Sequence, residues 1–143
     1  MRIPRRAASA TLALVLAVTG LAGGDPSVAL AGAESDIPGI PLPGPVVSGQ
    51  LGGPIYDVVY RIDVAPASVI VIGLEGTAGT DFDLYLFDSS ATSVLSTTGL
   101  LLKSIGSTST ESLSLPTLFG GTYYIDLNGA TDVQGTYTLT VAV

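Results

Sequence analysis

The sequence predicts an all-β protein, a jelly-roll-like antiparallel β-sandwich of seven to eight short strands. Three observations predict it. Segment after segment between Val46 and Val143 alternates apolar with polar residues, the period of a half-buried strand. Turn residues recur at short spacing between those segments. No stretch beyond residue 31 sustains a helical period.

In order along the chain, residues 1–31 have the make-up of a secretory signal peptide. Arg2, Arg5 and Arg6 precede an apolar run from Ala10 to Ala22. That run is shorter than the roughly 20 residues a membrane-spanning helix needs. Ala29-Leu30-Ala31 fits an A-x-A cleavage site, which predicts a mature start at Gly32; a cut after Ala22 is the second choice. Ala7 and Ala8 after Arg5-Arg6 match the twin-arginine pattern poorly, so the general export route is expected. The expected location is extracellular, with no membrane attachment after cleavage.

Residues 32–45 interleave Pro38, Pro41, Pro43 and Pro45 with Gly39 and Gly44. Proline removes backbone donors and fixes φ, so this stretch is read as an extended linker or N-terminal arm. One β-domain is expected over 46–143. Its first strand is Val46 to Leu51. Tyr56 to Val64 puts Tyr56, Val58, Tyr60, Ile62 and Val64 on one face. Val69 to Glu75 is β-branched and almost wholly apolar, as a central strand is. Asp81 to Asp88 places Asp81, Asp83, Tyr85 and Phe87 on one face and Phe82, Leu84 and Leu86 on the other. Leu100 to Ile105 and Glu111 to Leu115 are short strands, and Pro116 to Gly121 is read as a turn. Thr122 to Asn128 and Gly135 to Val143 close the domain, the last with Tyr137, Leu139 and Val141 opposite three threonines.

The chain carries no cysteine and no histidine. This excludes disulfides, thiolate or imidazole metal sites and a Ser-His-Asp triad. Removal of residues 1–31 leaves two basic and eleven acidic residues, a net charge near −9. Nucleic acid and anionic membranes are therefore unfavourable partners.

Taken together, Tyr60-Arg61-Ile62-Asp63-Val64, Val69 to Leu74, Asp81-Phe82-Asp83-Leu84-Tyr85-Leu86-Phe87, Gly121-Thr122-Tyr123-Tyr124-Ile125 and Gly135-Thr136-Tyr137-Thr138-Leu139 resemble the bacterial pre-peptidase C-terminal domain family. The resemblance covers Val46 to Val143. It implies a jelly-roll-like sandwich that accompanies secreted proteases, with collagen and calcium binding in the collagenase relatives.

Asp81 and Asp83 are the first candidate site, because calcium takes about six to eight oxygen ligands and two same-face aspartates beside a glycine turn supply some of them. Asp126 and Asn128 are further metal candidates, and calcium is the candidate cofactor. Turn capping by Asp81 is the competing role. Tyr85 and Tyr124 share faces with Asp83 and Asp126 and are the ligand-binding candidates, since a flat aromatic adds contact area at small entropy cost. The expected function is a secreted, non-catalytic module binding an extracellular polypeptide or polysaccharide. The alternatives are a structural or adhesive envelope protein and, more distantly, a small carboxylate-based hydrolase.

Overall fold

The computed structural model describes residues 35–143; the expected signal peptide and its cleavage site lie outside the described residues. The elements are β1 (Ile40–Pro41), β2 (Val46–Leu51), β3 (Asp57–Val64), β4 (Ser68–Gly76), β5 (Phe82–Asp88), β6 (Leu100–Ser104), β7 (Glu111–Thr117), β8 (Gly121–Gly129) and β9 (Gly135–Ala142). They form a five-stranded sheet in the order β1-β3-β8-β5-β6 and a four-stranded sheet in the order β2-β9-β4-β7. Every pairing is antiparallel except β1 with β3. Early and late strands alternate within each sheet, which is the wrapped order of a jelly roll with β1 added at an edge.

The expected strands are found with small shifts at their ends, and one more appears. Ile40–Pro41 pairs with Tyr60 and Arg61 of β3, and Leu42 N–H donates to the Arg61 carbonyl at 2.9 Å. Proline is tolerated here because an edge strand leaves some of its N–H groups unpaired. The same rule admits Pro116, so β7 runs two residues past Leu115 where a turn was expected.

The main core lies between the sheets. Tyr60, Ile62 and Val64 of β3, Phe82, Leu84 and Leu86 of β5, and Ile125 and Leu127 of β8 face Ile70, Ile72, Leu74, Leu139 and Val141 of the other sheet. A second, smaller core sits on the outer face of the five-stranded sheet. It joins Val59, Tyr85, Phe87, Ala91 and Val94, with Ile37, Leu100 and Tyr124 packed around them. The strand β5 is therefore buried on both faces.

The lid of the second core is the segment 89–99. It has few apolar residues, yet Ala91 and Val94 plug the sheet face. Asp36 holds the lid down. Its carboxylate accepts the N–H groups of Ile37 at 2.8 Å and Val94 at 2.7 Å and the Ser93 hydroxyl at 2.9 Å. The proline-rich arm is thus pinned at one end by Asp36 and at the other by β1.

Candidate functional site

The sequence-predicted residues gather on the outer face of the five-stranded sheet. Strand register puts Asp57, Asn128 and Asp83 in one row, and Val59, Asp126, Tyr85 and Lys103 in the next. Asn128 donates to the Asp57 carboxylate at 2.8 Å. The Tyr85 hydroxyl points to Asp83 at 3.4 Å, a long and weak bond. Burial is deep: Asp57, Asp83 and Asp126 are 5 %, 7 % and 0 % exposed. Burial pushes the Asp83 carboxyl up to about 6, helped by the negative charges of Asp81 and Glu111 and opposed by the Tyr85 hydroxyl.

Among the described residues no group of three or more acidic side chains is placed to hold a metal ion. Asp81 has one buried carboxylate oxygen without a hydrogen-bond partner. A pair of carboxylates falls well short of the six to eight oxygens calcium takes. Glu111, which joins them electrostatically, is committed elsewhere, accepting from the Ser104 hydroxyl and from Gly106 N–H at 2.8 Å.

The tyrosine expectation needs a correction at Tyr85. It is 2 % exposed, because the 89–99 lid and the Asp36 clamp cover the face that alternation alone leaves open. Tyr124 is half-buried at the margin of the same cluster. Tyr56 departs in the other direction: it is 47 % exposed in the β2–β3 loop and donates to Asp132 at 2.7 Å.

The open surface is the outer face of the four-stranded sheet. Register aligns Ser48 with Thr138 and Glu75, and Thr140 with Gly73 and Ser112. Thr136, Gln50 and Ser114 continue the hydroxyl- and amide-bearing surface, while Val69 and Val71, each 48 % exposed, and Val46 form an apolar upper part. Glu75 is the one charged residue that β2, β4 and β9 present outward. Gly73 sits at the centre of this face. A Cβ there would meet nothing within 4 Å, so the fold itself does not require glycine. The signal in the sequence was the Thr136-x-Thr138-x-Thr140 alternation and a glycine inside an otherwise β-branched strand.

Two solved structures are similar to this chain. The pre-peptidase C-terminal domain of a collagenase from Bacillus anthracis is 22 % identical, with a TM-score of 0.52 over 68 % of this chain and 87 % of that one. A periplasmic inhibitor of g-type lysozyme from Aeromonas hydrophila is 14 % identical, with a TM-score of 0.46 over 68 % of this chain and 84 % of that one. This chain therefore has the fold of a pre-peptidase C-terminal domain, as the motifs led one to expect. No protein-family model and no curated protein sequence matches it.

Proposed function

We propose that the protein is a secreted, non-catalytic module that binds an extracellular polypeptide or glycan across the outer face of its four-stranded sheet. The observation that carries this reading is Gly73. Glycine inside a strand costs roughly 0.5–1 kcal/mol relative to alanine, and its usual reasons are a bulge or the close approach of another molecule. The register through Gly73 is unbroken on both sides, so there is no bulge. Around it lie hydroxyls and β-branched methyls, with Glu75 the one charge that β2, β4 and β9 present there, on a strongly acidic chain. Such a surface suits an uncharged, extended, hydrogen-bonding partner. The fold supports the same reading, because one of its solved examples is a domain of a collagenase.

The test is retention of the purified protein on insoluble collagen, peptidoglycan and chitin at roughly micromolar concentration. Retention on one of them is expected, and Gly73→Tyr should weaken it at least about tenfold, because a Cβ there meets nothing within 4 Å and the ring beyond it would cover the centre of the face. Retention on none of the three, or equal retention of Gly73→Tyr with an unchanged melting temperature, removes the proposal.

A further inference from the structure

The opposite sheet carries a small groove of about 260 Å³ at its β6 edge. Tyr85 and Phe87 form its sealed floor, Leu100 and Leu95 its apolar sides, and Ser96 with Lys103 part of its rim. A β-bulge builds it. Leu86 pairs with Leu102 but Phe87 pairs with Leu100, so Leu101 has no partner opposite. The slip brings Leu100 onto the outer face beside Phe87, and Lys103 stays beside Tyr85. Bulges commonly re-aim a side chain in this way. The far wall is the lid segment, fixed by its own bonds: Leu95 N–H to the Ser93 hydroxyl at 3.1 Å and Leu100 N–H to the Thr97 carbonyl at 3.2 Å.

Two features define what fits. Lys103 is exposed and makes no ion pair among the described residues, where it and Arg61 are the only cations; Arg61 lies three strands away. A cation at the mouth of an apolar groove, on an otherwise acidic domain, complements an apolar group ending in an anion. In addition, β6 is the last strand of its sheet, with no strand paired to its outer edge, although its Ser104 end is bonded to Glu111 of β7. Such an edge accepts an extended backbone. We propose that this groove captures the C-terminus of an extended polypeptide with an apolar last residue, the side chain against Leu95 and Leu100 and the terminal carboxylate on Lys103. Of an apolar acid and a peptide, only a peptide uses the strand edge. The site is on the other sheet from the face proposed above, so the failure of one leaves the other standing.

The test is a titration of the isotopically labelled protein, followed by amide chemical shifts. Three probes are used: acetyl-Gly-Val-Leu with a free carboxylate, the same peptide as its C-terminal amide, and decanoate. The free acid should shift amides in 95–97 and 100–103 and bind at least about tenfold more tightly than the amide. Lys103→Gln should abolish that preference, and Lys103→Arg should keep it; both side chains lie at an exposed position, and the melting temperature verifies folding. Equal binding of acid and amide, no shifts at about 5 mM peptide, or binding of decanoate without the peptide acid would each overturn the proposal.

Discussion

The hydroxyls of Tyr60 and Tyr137 meet at 2.7 Å inside the sandwich, one tyrosine from each sheet. Both are nearly inaccessible, at 5 % and 3 % exposed. Burial and the bond to Tyr60 push the Tyr137 phenol up, so it stays neutral. Gly49 makes room for the pair: a Cβ there would stand 2.7 Å from the Tyr137 hydroxyl. One phenol donates and the other accepts, so neither hydroxyl is left without a partner in a core with no disulfide, since the chain has no cysteine.

Removing one partner should cost more than removing both. Tyr60→Phe or Tyr137→Phe strands a buried hydroxyl, at about 1–3 kcal/mol. The double phenylalanine variant replaces the pair by apolar surface of the same shape and should recover most of that loss. Urea unfolding of the four proteins measures the coupling; strictly additive losses would show that the pair does not act as a unit.

Asp83 sets a pH dependence. An unfolded aspartate titrates near about 4, whereas in the folded protein Asp83 is pushed up to about 6. Between those values the folded state holds a proton that the unfolded state has released. Stability contributed by this group is therefore full below about pH 4, falls as pH rises to about 6, and is then level, a loss of about 2–3 kcal/mol. Asp83→Asn should be more stable than the parent by a similar amount at pH 7 and equal to it at pH 4. Thermal melts at the two pH values decide it; a variant less stable at pH 7 would mean the charged form is the one the fold favours.

Asp36 should behave as a latch between the arm and the lid. Asp36→Ala removes acceptors for two N–H groups and a hydroxyl. A loss of about 1–3 kcal/mol is expected, with faster hydrogen exchange at Val94 than at β8 amides. Unchanged exchange at Val94 would show that apolar packing alone holds the lid.

Calcium should have little effect. With only a carboxylate pair at Asp81 and Asp83, the melting temperature in millimolar calcium should match that in chelator. A bound ion at ten times its dissociation constant would add about 1.4 kcal/mol, or roughly 5–11 °C. A rise of that size, lost in Asp81→Ala, would establish a metal site on this face.

Two strands show where the sequence was legible and where it was not. The apolar run Val69 to Glu75 looks buried throughout, yet Val69 and Val71 are half exposed because no element among the described residues covers that face. The aspartate-bearing run Phe82 to Asp88 looks half open, yet both its faces are covered. Alternation reports which residues share a face; it does not report what lies on that face. The short strand β1 was masked by its prolines for a related reason. An edge strand needs only some of its backbone bonds, so two residues suffice and leave little periodicity to read.

The strand series, the sandwich class and the faces that carry aspartates, threonines and tyrosines can be read from the residues alone. These follow from local alternation and turn chemistry, which act within a few residues. That Asp36, 57 residues before Ser93, clamps the lid over Tyr85 follows from the folded arrangement and from nothing local. The same holds for the bulge at Leu101, which turns β6 into the wall of a groove, and for the place of Gly73 at the middle of an open sheet. Contacts between distant segments depend on how the whole chain wraps, and burial is a property of that wrapping.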